Sequence, residues 1–299
     1  MRRPAPLRPG DAIALAATAR FAEPAHIKAA ADAIRTRGYT VVEPANLRSR
    51  SGVFAGTDAE RRDGFQHLLD DPSVRAIWCV RGGYGTMRML EGLDWSRFRE
   101  DPSWLIGYSD VTALHAAVNG SLDVETLHAT MGVNLSHTTL QAVDSLFDAL
   151  AGRAVEISAP PHADQRSGTA TGTLVGGNLS MVHTLLGTPW AVQTRGAILF
   201  IEEVDEYLYH VDRMLLALRL GGALDEIRAL VVGGMTHMHD NDDPPFGQTL
   251  EDIVRCHVPD NVPIAVGVPV GHVDDHRALR LGAMTELTVQ ASGVRLVQP

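Results

Sequence analysis

The sequence predicts an α/β protein whose first half is wound on a parallel sheet. Two patterns carry that prediction: short apolar runs alternate with helix-like segments, and several of those runs end in glycine-bearing turns. The length of 299 residues adds a third, favouring two domains at roughly 100–200 residues each.

Taken in order, Pro9-Gly10-Asp11 turns the chain into an apolar run, Ala12–Ala17, which reads as the first strand. The turn and its negative charge favour a strand there over a signal peptide. His26–Thr36 is an alanine-rich helix stopped at Gly38, and Thr40–Val42 a second strand. Thr57 caps a helix over Asp58–Asp70 that ends before Pro72. Val74–Val80 is a buried strand leading into Arg81-Gly82-Gly83-Tyr84-Gly85. Trp104–Gly107 is another strand, followed by a helix over Asp110–Val118. Val155–Thr169, with Pro160-Pro161, breaks the pattern and is the expected linker. The expected organisation is therefore domains over residues 1–153 and 171–299 joined by 154–170. Strand-like runs in the second half are Ala197–Ile201, Ala229–Val232, Ile264–Val270 and Leu287–Val289.

Composition prunes the chemistry. A net charge of −10 argues against a nucleic-acid partner, which calls for a basic face. No apolar run reaches the roughly 20 residues that span a bilayer, so a soluble, cytoplasmic protein is expected. Lys28 is the sole lysine and sits in a helix without a glycine turn, which removes P-loop and Schiff-base mechanisms. Cys79 and Cys256 lie near apolar residues and read as buried thiols.

One run stands out: Trp104-Leu105-Ile106-Gly107-Tyr108-Ser109-Asp110-Val111-Thr112. A strand, a glycine, a serine and a helix in succession can hold a hydroxyl on a sharp turn before helix amides. Spacing alone fits a helix-capping serine equally well. Val111 replaces the second glycine of Gly-x-Ser-x-Gly, which speaks against an α/β-hydrolase.

A serine nucleophile needs a base and an acid to orient it. Among thirteen histidines, His26, His67, His115 and His183 fall in helical contexts. His272, in Val270-Gly271-His272, follows an apolar run, as do His237 and His239. His237, His239, Asp240, Asp242 and Asp243 are metal-ligand types, but a solvated loop explains them better than a cage. Glu202, at the end of Ala197–Ile201, is the expected orienting acid; Asp205 and Glu206 fit a helix N-terminus.

Six segments in order resemble the L,D-carboxypeptidase family of serine peptidases, which includes muropeptide carboxypeptidases and microcin C self-immunity peptidases. They are Leu7–Asp11, Arg81–Gly85, Gly107–Thr112, Gly172–Leu179, Leu199–Val204 and Pro269–His272. Ala17-Thr18 stands where the family usually has Pro-Ser, and Val273 where glycine commonly follows the histidine. The resemblance implies a flavodoxin-like N-terminal domain holding Ser109 and a swivelling β-rich C-terminal domain holding Glu202 and His272. It implies a serine–histidine–glutamate triad, no metal or organic cofactor, and a homodimer. It also implies release of terminal D-alanine from murein tetrapeptides, with aminoacyl-nucleotide cleavage or non-catalytic muropeptide binding as alternatives. Backbone N–H groups of Gly83 and Asp110 are the expected oxyanion hole. Arg81 either binds the substrate carboxylate or satisfies loop carbonyls, and Tyr84 beside it is a further substrate contact. Trp190 or Tyr207 could stack on a base. The apolar helix face at Val211–Leu220 fits a core or an interface.

Overall fold

The computed structural model describes all 299 residues. In chain order the elements are β1 (Ala12–Ala16), α1 (Pro24–Thr36), β2 (Thr40–Val42), α2 (Asp58–Asp70), β3 (Val74–Cys79), α3 (Ser96–Glu100), β4 (Trp104–Gly107), α4 (Thr112–Leu122), β5 (Thr126–His128) and α5 (Leu140–Leu150). There follow β6 (Val155–Ala159), β7 (Gly168–Asn178), α6 (Leu179–Thr184), β8 (Ile198–Val204), α7 (Leu208–Leu220), β9 (Ala229–Thr236), α8 (Leu250–His257), β10 (Ile264–Val266), β11 (Leu279–Leu281), β12 (Met284–Gln290) and β13 (Gly293–Gln298).

The first sheet runs β11-β5-β4-β3-β1-β2. Its five N-terminal strands are parallel in the flavodoxin order, and β11 joins antiparallel from the far half of the chain. Alternation decides which face each side chain enters. Trp78, Trp104 and Ile106 meet α1 and α5, while Ile77, Cys79 and Leu105 meet α2 and α4 on the other face. Thr57 caps α2 as expected, accepting from Glu60 N–H at 3.2 Å while the Glu60 carboxylate accepts from Thr57 N–H at 2.7 Å.

The second sheet, β10-β9-β8-β7-β12-β13-β6, is parallel over its first four strands and an antiparallel meander thereafter. Leu199 and Ile201 of β8 face α6, α7 and α8, whereas Ile198 and Phe200 join the apolar cluster that includes the first sheet. The two lobes therefore share one core.

Three expectations change. Val155–Ala159, inside the expected linker, is an edge strand whose Val, Ile and Ala point inward while Glu156 and Ser158 point out. The prolines that follow mask this short alternation. Only Ile264–Val266 of Ile264–Val270 is strand. Cys79 is buried, which pushes its thiol up to about 12, but Cys256 lies on the exposed side of α8. Val211, Met214, Leu215 and Leu218 are buried within the chain, so that face of α7 is core rather than interface. No helix is long and apolar enough to cross a membrane.

Candidate active site

The carboxyl ends of parallel strands from both sheets face one another across an open cleft of about 520 Å³. From the first sheet come Arg81, Gly82 and Gly83 after β3, Ser109 and Asp110 after β4, and Asn134 beyond β5. From the second come Asn178 at the end of β7, Glu203 at the end of β8, Asp205 just beyond it, and His272 after β10.

Ser109 sits at φ 62°, the left-handed region that side chains seldom adopt. It opens a tight turn, Ser109–Val111, that passes directly into α4. Amides in the first turn of a helix have no intrahelical acceptor and so stay available to an incoming oxygen. The glycine loop lies against this turn: a Cβ at Gly82 would stand 3.3 Å from Ser109 Cβ and 3.5 Å from the Asp110 amide nitrogen. A Cβ on Gly83 would be 2.7 Å from Arg20 Cδ. The Asp110 carboxylate, only 2% exposed, reaches under the loop and accepts from Thr86 N–H at 2.9 Å. Its burial pushes the carboxyl up, against the Thr86 hydrogen bonds.

His272 Nδ1–H donates to Glu202 Oε2 at 2.6 Å. Glu202 is fully buried, and its other carboxylate oxygen has no hydrogen-bond partner. Burial lifts the Glu202 carboxyl, opposed by the bond and charge of His272. Burial also works against charge on His272, yet the bond and charge of Glu202 outweigh it and raise the imidazole above its usual range. Gly271 makes the close approach possible. It has φ 103°, and a Cβ there would lie 2.6 Å from Glu202 Cβ and 2.8 Å from Oε2. Thr236 Oγ1 donates to the His272 carbonyl at 3.1 Å, fixing the loop to β9.

Tyr108 lies beside both ends of the site, its ring centroid 4.7 Å from that of His272. No hydrogen bond joins the Ser109 hydroxyl to His272; such contacts are often long until substrate binds. Beneath Tyr108, His276 and His128 are hydrogen-bonded at 3.1 Å, and burial holds both below the usual histidine range, His276 at about 3. That pair ties the His272 loop to β5.

The remaining expected residues divide. Arg81 lines the cleft, but its guanidinium is half-buried and donates to the Phe21 carbonyl at 3.0 Å. Tyr84 stands outside the cleft, 50% exposed and packed on Phe54 at 5.8 Å. Trp190 packs on the core, Tyr207 tilts against His239, and neither lines the cleft. His239 pairs with Asp205 at 2.7 Å, and Asp240 accepts two backbone amides, so the His237–Asp243 segment gathers no cage. The one group of three ligand types whose atoms converge is His162, Asp164 and Glu251, on the surface.

Sequence reasoning missed Asn178, Glu203 and Arg61. The Glu203 carboxylate accepts from Asn178 Nδ2 (2.8 Å), Ser180 N–H (2.8 Å) and Val204 N–H (2.9 Å), fixing β7 to β8 at the cleft floor. Arg61, fully buried, donates to the Thr18 carbonyl at 3.1 Å and the Gly56 carbonyl at 2.8 Å, bracing the loops beside Gly85. The Gly176-Gly177-Asn178 segment signals the first and the Glu202-Glu203 pair after an apolar run the second, but nothing local marks Arg61 within α2.

Comparison with known proteins agrees with this architecture. The chain is 32% identical over 290 residues to the probable murein peptide carboxypeptidase of Bacillus subtilis (strain 168), covering 94% of this chain and 90% of the relative. Its fold superposes on the crystal structure of muramoyltetrapeptide carboxypeptidase from Oxalobacter formigenes with a TM-score of 0.86 and 26% identity, covering 96% and 98% of the two chains. The microcin C7 self immunity protein MccF shares the fold (TM-score 0.88, covering 99% and 98%), at 20% identity. Residues 12–129 match the LD-carboxypeptidase N-terminal domain and residues 171–287 the LD-carboxypeptidase C-terminal domain, so the chain belongs to the LD-carboxypeptidase family.

Proposed function

We infer that the protein is a serine carboxypeptidase that hydrolyses the L,D-amide bond of murein tetrapeptides, releasing the terminal D-alanine. The observation that carries this is the 2.6 Å bond from His272 to buried Glu202, in the same cleft as the strained turn of Ser109. The names of the B. subtilis and O. formigenes proteins support the substrate class.

In this reading His272 Nε2 takes the proton of Ser109 as its oxygen attacks the scissile carbonyl. Glu202 holds the imidazole in the tautomer with Nδ1 protonated and offsets the positive charge that forms. Backbone N–H groups of Gly83 and Asp110 hold the carbonyl oxygen as it becomes negative. His272 then gives its proton to the leaving amine, D-alanine departs, and water, deprotonated by the same imidazole, cleaves the acyl-enzyme. Arg81, anchored on the Phe21 carbonyl, shapes the wall of the substrate cleft. The working form on this reading is a cytoplasmic homodimer acting on released wall peptides, with residues 1–153 and 171–299 as its two lobes.

The test is incubation with murein tetrapeptide, murein tripeptide and an aminoacyl sulfamoyl adenylate, read by mass spectrometry. Conversion of tetrapeptide to tripeptide plus D-alanine, lost by about 10⁶-fold in Ser109→Ala, is the expected result. Cleavage of the adenylate alone would move the protein to the microcin-type activity, and turnover retained in Ser109→Ala would remove the nucleophile.

A further inference from the structure

We propose that Arg20 is the residue that reads the free carboxylate of the substrate, and so makes the enzyme a carboxypeptidase rather than an endopeptidase; this rests on the carboxypeptidase reading above. Arg20 follows β1, at the point where Ala17-Thr18 departs from the family pattern.

The charges around the cleft single it out. Three acids line the cleft, and each already has partners. Glu203 accepts three N–H donors, Asp205 pairs with His239, and buried Asp110 accepts from Thr86. Of the two arginines, Arg81 is half-buried and committed to the Phe21 carbonyl. The Arg20 side chain is exposed, makes no hydrogen bond within the protein and has no acid within 4.0 Å, in a chain of net charge −10. A planar guanidinium with all its donors free suits a carboxylate taken in a two-point grip.

Its position fits as well. The stem of Arg20 crosses Gly83, where a Cβ would meet Cδ at 2.7 Å, Cγ at 3.0 Å and Nε at 3.1 Å. Its own N–H donates to the Gly82 carbonyl at 3.4 Å, and it bridges to Phe54, so the base of the side chain is fixed on the glycine loop. Gly82 in turn abuts Ser109 and the Asp110 amide. In a terminal residue the carboxylate carbon is three bonds from the scissile carbonyl carbon, about 3–4 Å. A group that binds it must lie within one side chain's reach of the oxyanion loop, where Arg20 lies.

The experiment compares kcat/KM for a murein tetrapeptide and for its C-terminal amide. Wild type should prefer the free acid by about 10²-fold or more. Arg20→Gln should lose about that factor on the acid and change little on the amide, collapsing the preference, while Arg20→Lys should keep part of it. Arg81→Gln should lower both substrates alike. An Arg20→Gln enzyme that keeps the preference, or loses both substrates equally, overturns the assignment while leaving the carboxypeptidase reading intact. A wild type that cleaves neither substrate overturns that reading and this assignment together.

Discussion

Replacing Glu202 with glutamine keeps the side-chain shape and removes one buried charge, and its consequences can be worked through from the geometry. Without that charge, burial is the main influence left on His272, and burial lowers an imidazole. Glu202 now raises His272 above its ordinary value of 6.5, so the variant's imidazole should fall below 6.5. Two unit charges about 4 Å apart at an effective dielectric constant of about 20 interact by about 4 kcal/mol, a ceiling on what the lost charge contributes. The expected shift is downward, because burial opposes the charged imidazole once the carboxylate is gone. The base must be neutral to accept the serine proton, so the acid limb of the kcat/KM profile follows this group. Wild type should gain activity through a limb above pH 6.5 and Glu202→Gln through one below it, with kcat lower by about 10⁴-fold, or about 5 kcal/mol. The loss has a specific source: glutamine can offer an N–H to Nδ1 and hold the wrong tautomer. The assay is D-alanine release at substrate well below KM, from about pH 4 to pH 9. A limb that stays in place, or moves to higher pH, would refute Glu202 as the group that tunes His272.

Three further predictions follow from local geometry. Ser109→Gly and Ser109→Ala should both be inactive, but the glycine variant should be the more stable by about 1 kcal/mol, because it removes the left-handed strain; equal melting temperatures would argue against strain at this turn. Gly271→Ala should cost at least about 10²-fold in kcat, since a methyl 2.6 Å from Glu202 Cβ must separate the acid from His272; wild-type kcat would show the loop yields freely. Arg61→Ala leaves the Thr18 and Gly56 carbonyls without their buried donor and should destabilise by about 3 kcal/mol or more in urea titration, a smaller loss meaning that water replaces the guanidinium.

Much of the first lobe was legible because its signals are local. Val74–Cys79 and Trp104–Gly107 are continuous apolar runs with turns behind them, and Thr57 announces its helix through Glu60 three positions on. The second lobe was harder because its sheet is assembled by distant partners. β6 is a five-residue alternation whose pairing strand, β13, lies at the far end of the chain, and β11 is a three-residue strand held by distant partners, β5 along its length and Gln298 at Arg280. At the site, the proposed triad of Ser109, Glu202 and His272 rests on a local signal, because each follows an apolar run. Arg61, His128 and His276 act by burial and by contacts across the fold, which no spacing rule can express.

The strand β11 also dictates an order of events at the ribosome. Leu279 pairs with His128 and Leu281 with Thr126, so the rim of the first sheet stays open while residues 129–278 are being translated. At about 5–20 residues per second that interval is roughly ten to thirty seconds. Through it the nascent protein presents bare backbone amides and carbonyls on β5, a template for a neighbouring copy to occupy. Chaperone demand and misassembly during overexpression should therefore concentrate at this edge, and separately expressed halves should recover activity only if the later half supplies Leu279–Leu281.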